Sequence, residues 1–377
     1  MKEKISKIDK NFYIDIFIKS SFQKEFETGD IIPLIANKEV SIINDKNKTF
    51  YSLAHSSPHY SIQTKIEKFL LKNIPLNASS FAYRKDLSYL HYLEPHIQNV
   101  KYCHLDIVSF FNSIDINLVR DTFSVYFSDE FLVKDKQSLL DAFIASVTFS
   151  TKVGDVEKTI IPMGFKSSPS ISNIIFRKMD ILIQKFCDKN NITYSRYADD
   201  LLFSTKKENN ILSSNFFINE IGSILSINSF KLNKSKYLYK EETISLGGYV
   251  IENTLNDGSK GNIRLSSSKL NILHKALHEI NKGSSAKHIC NKVFNLKIKE
   301  FTYKKNKTAF EKKFYSSQLV NKLLGYRSYL LSFVKFQNKY KCINPVFLEK
   351  CFRLINEIEN IINKNSHAQG MNAPMSN

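Results

Sequence analysis

Three aspartates of this 377-residue chain have the types and spacing to do chemistry together. Asp199 and Asp200 form the polar centre of ITYSRYADDLLFST (192–205), whose β-rich arms predict a strand-turn-strand hairpin. Asp106 lies at the end of the strand predicted in VKYCHLDIV (100–108). A carboxylate at a strand end, facing adjacent carboxylates at a hairpin turn, supplies hard oxygen ligands from rigid positions, and magnesium takes such ligands. Two divalent ions about 4 Å apart can transfer a phosphoryl group, one activating the attacking hydroxyl and one holding the triphosphate. Neighbouring carboxylates in an otherwise apolar hairpin repel each other and lose hydration unless a cation neutralises them. An Asp-Asp pair taken alone is ordinary turn chemistry, so the metal reading depends on the rest of the chain.

The elements around these residues follow from periodicity. YSIQTKIEKFLLKNI (60–74) places Ile62, Ile66, Phe69, Leu70 and Ile74 at helical spacing, with lysines between them. INLVRDTFSVYF (116–127) predicts a helix that Asp115 can cap. SPSISNIIFRKMDILIQKFCDK (168–189) predicts a long helix with its stripe through Ile171, Ile174, Ile175, Met179, Leu182 and Phe186. ISLGGYVI (244–251) reads as a strand, and NDKNKTF (44–50) as an exposed basic turn. From about residue 266 the chain changes to Lys-rich helical segments, among them 267–283 and 319–336, which marks a second domain.

Composition bounds the partner. A formal charge of +18 points to a polyanion. Nucleic acid is favoured over a membrane: no apolar run approaches the roughly 20 residues of a spanning helix, and the opening segment lacks a signal peptide's apolar block and cleavage site. The expectation is a cytoplasmic protein without membrane association. Hydrophobic residues make up 42%, with 29 Phe and 18 Tyr, enough for the cores of two or three domains. Five widely spaced cysteines without a CxxC read as buried thiols, not as a disulfide framework or zinc site. No repeat of about 20 to 50 residues is visible, which excludes a solenoid or propeller.

YADD (197–200) resembles the Tyr-x-Asp-Asp signature of reverse transcriptases, and HLDIVSFFNSI (104–114) resembles their upstream metal motif, with its first aspartate at Asp106. IPMGFKSSPSISN (161–173) resembles the intervening Pro-Gln-Gly segment with its Ser-Pro helix start. FKLNKSKYLY (230–239) followed by ISLGG (244–248) resembles the lysine-bearing motif and the primer-grip hairpin, and residues 50–70 resemble the fingers segment. The motifs run in order over roughly residues 45 to 250. The resemblance implies an α+β fold, the right-hand polymerase. Its parts would be an N-terminal extension at 1–45, fingers and palm at 46–265 with an antiparallel palm sheet and helices, a basic helical thumb at 266–365, and a disordered tail at 366–377.

The resemblance also implies roles. Asp106, Asp199 and Asp200 become ligands of two Mg2+ ions, with Mn2+ as a substitute. Lys236 becomes the cation that protonates leaving pyrophosphate, though sequence does not separate it from Lys234. Phe111 stands where the family keeps an aromatic against the sugar 2′ position, which implies deoxynucleotide substrates. Strand alternation puts Phe110 in the core and Phe111 at the site. Tyr197 would pack beneath the template-primer end, and Gly247 and Gly248 would allow close backbone approach to the primer. Lys48, Arg84 and Lys85 are candidates for triphosphate or template contact, with a solvated surface charge as the alternative for each. Met163 replaces a usual glutamine, and Tyr51 stands where many members carry a triphosphate-binding arginine.

No ribonuclease H pattern, protease, integrase or maturase module is recognisable, so the compact form resembles bacterial retron and defence-associated reverse transcriptases. Those enzymes pair with a structured noncoding RNA and act against phage. LEPHIQN (93–99) keeps only the Pro-His of the retron segment, and LGG (246–248) replaces its Val-Thr-Gly, which favours a non-retron defence enzyme of the type 3 system. The expected activity is RNA-directed DNA synthesis from deoxynucleotides on an associated noncoding RNA, with a partner protein encoded alongside as a further candidate. In the thumb, lysines such as Lys269, Lys275, Lys304 and Lys305 lie close to Tyr303, Phe310 and Phe314, a mixture that can track a phosphate backbone. Two alternatives stay open. One is a non-catalytic RNA-binding protein on a polymerase scaffold, against which the intact aspartates argue. The other is untemplated or protein-primed synthesis, at which Met163 and Tyr51 hint.

Overall fold

The run 100–108 forms the strand Lys101–Asp106, and the hairpin 192–205 forms strands Thr193–Tyr197 and Asp200–Thr205. In sheet order Asp200–Thr205 lies between the other two, with Leu238–Glu241 outermost beside Lys101–Asp106. The computed structural model describes residues 7–19, 21–45, 48–153, 155–254, 260–296 and 307–370. The chain divides into two units, one of Met1–Tyr92 with Tyr102–Tyr239 and one of Leu93–Lys101 with Lys240–Asn377.

The first unit packs helices against this sheet. Ser168–Lys189 forms over the predicted span, and its Ile171, Ile175, Phe176 and Met179 are buried. Phe110, Phe176 and Phe230 meet with ring centroids 5.4 to 5.7 Å apart, and each such buried side chain contributes about 2 kcal/mol. Helix Pro58–Phe69 starts at Ser57, whose hydroxyl accepts from the His59 N–H, and it ends at Leu70, whose N–H donates to Ile66 O at 3.0 Å. It is therefore shorter than the predicted 60–74, and a 3-10 turn, Leu71–Asn73, follows. Asp115 caps Ile116–Ser124 by accepting from the Asn117 N–H at 2.7 Å. The basic turn read at 44–50 joins strands Val40–Asp45 and Lys48–Leu53, and its residues 46 and 47 lie outside the described residues.

The second unit holds a three-stranded antiparallel sheet, Thr243–Leu246, Tyr249–Glu252 and Asn262–Leu265. The stretch 244–251, read as one strand, is instead a hairpin. Gly247 and Gly248, with φ of 57° and 88°, make a two-residue turn that side-chain-bearing residues rarely adopt. Helices Ser267–Asn281, Ala286–Lys292, Lys307–Tyr340 and Pro345–Gly370 complete the unit. Phe333 packs between Tyr249 and Phe347, with centroids at 5.9 and 5.1 Å.

The division at 239/240 differs from the composition shift at 266 because long-range hydrogen bonds set it. The Glu242 N–H donates to Val100 O at 2.6 Å and the Gly261 N–H to Ile97 O at 2.8 Å, which ties Leu93–Lys101 to the later sheet. Helix Pro345–Gly370 covers the first residues of the segment expected as a tail, while 371–377 and the cluster around Tyr303, Lys304 and Lys305 lie outside the described residues. All five cysteines are free and buried. Among the described residues no helix is long and apolar enough to cross a membrane.

Candidate active site

Asp106 ends its strand, and the next N–H, that of Ile107, donates to Asp199 O at 3.1 Å. That single backbone bond brings the strand end against the hairpin turn. Tyr197 pairs with Asp200, so Ala198 and Asp199 alone form the turn. Ala198 takes φ 58°, the left-handed region that costs a non-glycine residue about 1 kcal/mol.

The carboxylates are held by named donors. Asp106, only 5% exposed, accepts from Lys236 Nζ at 2.8 Å through Oδ1 and from Asn233 Nδ2 at 3.1 Å through Oδ2. The Asn233 N–H also donates to Asp106 O at 2.8 Å, and the Val108 N–H to Lys231 O at 2.9 Å, so residues 231–236 run beside 106–108. Asp200 Oδ1 accepts from His104 Nε2 at 2.8 Å. Because an ionised carboxylate only accepts, that nitrogen carries the proton.

Charge accumulates here. Burial raises the Asp199 carboxyl above the usual range, and the Asp200 and Asp106 charges add to this, against its own N–H and the Lys48 cation. The hydrogen bond to Asp106 raises Lys236, and all three carboxylates reinforce it against the cost of burial. Among the described residues no three His, Cys, Asp or Glu side chains already stand close enough to ligate one ion. The donor set still suits a hard divalent cation: it is all carboxylate oxygen, and the mutual repulsion on Asp199 is what such an ion relieves.

The structure thus brings Asp106, Asp199, Asp200 and Lys236 together and separates Lys236 from the exposed Lys234 on the 3-10 turn Lys234–Lys236. Lys48 is exposed yet acts electrostatically on Asp199. Tyr197 is half-buried, its ring 4.9 Å from Tyr89 and 5.8 Å from Tyr92. Arg84 directs Nη1 at Asn77 O and Ser80 O, bracing its own loop, while Lys85 is exposed.

Phe111 departs from expectation. It is 7% exposed and Phe110 3%, with their rings 5.4 Å apart in one core cluster. The chain leaves the strand at Asp106 and turns, so the alternation that was to point them to opposite faces does not operate. Met163 is half-buried and its carbonyl accepts from the Tyr51 N–H at 2.8 Å. Tyr51 is buried among Leu53, Phe149 and Phe165. Gly247 and Gly248 form the hairpin turn of the second unit.

Three contributors were not read from the sequence. His104 precedes Asp106 by two residues, so strand alternation could have found it. Asn233 sits in a loop with no such signal. Arg196, inside the hairpin, pairs with Asp180 in the apolar stripe of helix Ser168–Lys189, and an acid within such a stripe was the available clue.

Comparison with known proteins bears on what this site does. The profile of the family described as "Reverse transcriptase (RNA-dependent DNA polymerase)" matches residues 51–251. Retron Ec83 reverse transcriptase from Escherichia coli is 29% identical over 199 residues, covering 52% of this chain and 62% of that protein. Retron Ec73 reverse transcriptase, also from Escherichia coli, is 31% identical over 158 residues, covering 39% and 48%. Retron Ec86 reverse transcriptase from the same organism is 30% identical over 157 residues, covering 41% and 44%. The chain spans about half the length of these curated relatives.

Proposed function

The chain belongs to the reverse transcriptase family, and from that premise we propose that it is an RNA-directed DNA polymerase. The observation that carries this reading is the meeting of Asp106, Asp199 and Asp200 at a strand end and hairpin turn, with Lys236 bonded to Asp106. Asp106, Asp199 and Asp200 would hold two Mg2+ ions, with Mn2+ as a substitute; such ions activate a 3′ hydroxyl and neutralise a triphosphate. Asn233 and His104 keep the outer carboxylates in place. Lys236, the cation already bound to this cluster, donates the proton that leaving pyrophosphate takes up.

Lys48 and Lys85 are the cations left to meet triphosphate or template, since Arg84 has turned to backbone carbonyls. Tyr197 and Tyr89 offer an aromatic floor for a base pair. Gly247 and Gly248 present a turn without side chains to a primer. Met163, half-buried, is the candidate left to border the nucleotide, since Phe111 lies in the core, and membership of the family supports deoxynucleotides as the substrate. The charge of +18 supports a nucleic-acid partner, and the similarity to retron enzymes supports a structured noncoding RNA as template. A role in antiphage defence, in the manner of the type 3 systems, is the biological setting we infer.

Purified protein given a primed RNA template, Mg2+ and labelled deoxynucleotides should extend the primer. Asp199→Asn with Asp200→Asn should abolish extension while RNA binding, read by gel shift, persists. Absence of incorporation on every template, or full synthesis by the double variant, overturns the reading.

A further inference from the structure

Arg196 is wholly buried, and so is its partner Asp180. An ion pair removed from water is seldom the most stable filling for a core, because apolar residues of similar volume do as well or better. What this pair does is legible from where its donors go. A guanidinium has five N–H groups, and each has an acceptor here. Nε and Nη2 form a fork on Asp180, at 2.8 Å to Oδ1 and 2.7 Å to Oδ2. The second Nη2 hydrogen goes to Ser80 Oγ at 3.0 Å. Nη1 donates to Asn173 Oδ1 and to Ala198 O, both at 3.0 Å. The guanidinium also lies 4.4 Å from the centroid of the Phe176 ring, and Tyr194 OH donates to Asp180 Oδ1 at 2.8 Å.

The backbone carbonyl among these acceptors is that of Ala198, the residue in left-handed geometry whose carbonyl carbon is bonded to the nitrogen of Asp199. The orientation of that peptide plane decides where the Asp199 side chain starts. Arg196 also fixes the neighbouring loop: its own N–H donates to Ser79 O at 2.7 Å, its carbonyl accepts from the Phe81 N–H at 2.9 Å, and Asn173 Nδ2 holds Ala82 O at 2.8 Å. Helix, loop and turn therefore meet on one side chain.

We propose that Arg196, oriented by Asp180, is a positioning residue that locks the Ala198–Asp199 peptide and so sets the Asp199 carboxylate against Asp106. Lysine at this position keeps a charge for Asp180 but has no planar fork, so it cannot bind both carboxylate oxygens, Ser80, Asn173 and Ala198 O together. The effect falls on turnover more than on nucleic-acid binding, because no donor of Arg196 faces solvent.

This inference rests on the polymerase reading, and its test has one readout that does not. In Arg196→Lys, single-nucleotide extension should lose about 10- to 100-fold in kcat, with the KM for primer-template held within about twofold. Mn2+ binding, followed by electron paramagnetic resonance without substrate, should weaken by about tenfold. Phe143→Leu, a core change in the same unit, supplies a variant of lowered Tm with unchanged kcat and Mn2+ affinity below its melting range. Should Arg196→Lys fail to fold, Ser80→Ala removes a single acceptor and should show the same losses in smaller measure. If wild type extends no primer, the polymerase reading fails and Mn2+ affinity alone decides the positioning role. Variants at Arg196 or Ser80 that bind Mn2+ and turn over as Phe143→Leu does would overturn it.

Discussion

Lys236 Nζ lies 2.8 Å from Asp106 Oδ1, joining a lysine of a 3-10 turn to the carboxylate that ends a strand 130 residues earlier in the chain. The bond raises the ammonium above the ordinary lysine range, so Lys236 stays protonated beside Asp106. Lys234, on the same turn, has no such place in the carboxylate cluster. Lys236→Met should therefore lower kcat for nucleotide addition by about 100-fold or more, the scale of a lost general acid. Lys234→Met should change kcat by less than about threefold, the scale of a lost exposed charge. Rapid-quench extension assays separate the two, and equal losses would remove Lys236 from the assignment.

His104 should matter through Asp200. Its Nε2 proton fixes one oxygen of that carboxylate, as a hydrogen-bonded neighbour does for a metal ligand. His104→Ala should cost about tenfold in extension rate and raise the Mg2+ concentration for half-maximal activity. His104→Gln, which keeps an N–H donor, should recover part of both. A Mg2+ titration of the three proteins checks this, and an unshifted titration in His104→Ala would show that Asp200 needs no such support.

What was legible in the sequence was local. Asp106, Asp199 and Asp200 stood out because a strand end and a two-residue hairpin are written in a few consecutive residues. The helix over 168–189 was equally plain, since its stripe from Ile171 to Phe186 repeats for about four turns. Contacts between distant segments were not legible. Choosing Lys236 over Lys234 needs the direction of a 3-10 turn and its register against Asp106. Arg196 needs the packing of the hairpin on helix Ser168–Lys189 before Asp180 can be seen to face it. Phe111 falls in the core, not at the site, because the strand and its alternation stop at Asp106. Tyr51, at a position compared with a triphosphate-binding arginine, turns into a cluster with Phe149 and Phe165, residues far along the chain that only the folded packing brings to it.

Gly164 should be intolerant of any side chain. It has φ 112°, and a Cβ there would stand 2.5 Å from Tyr51 O, a backbone atom that cannot swing aside. The Met163 carbonyl also accepts from the Tyr51 N–H, so the clash would separate two segments that are hydrogen-bonded to each other. Gly164→Ala should cost about 1–3 kcal/mol, read as a lowered midpoint in urea unfolding. Lys166→Ala, at an exposed neighbour, should leave the midpoint nearly in place. A Gly164→Ala protein as stable as wild type would show that the loop can move away from the strand.

His96 should make stability fall with acid. Burial pushes its imidazole down from 6.5 to about 3, so the folded protein keeps it neutral while the unfolded chain protonates it below about pH 6.5. Between those values the unfolded state binds the extra proton and is favoured as pH drops. The contribution of neutral His96 is therefore complete above about pH 6.5 and is lost progressively on going down toward pH 3. Moving from about pH 7.5 to about pH 5 should remove about 2 kcal/mol through this one residue. Other groups titrate over the same range, so the difference between wild type and His96→Asn is the quantity to follow. The variant lacks a group that titrates there, and its stability deficit at pH 7.5 should shrink by about 2 kcal/mol at pH 5. Urea unfolding of both proteins at the two pH values gives the comparison, and a deficit that does not change with pH would mean that His96 is charged, or solvated, in the folded chain.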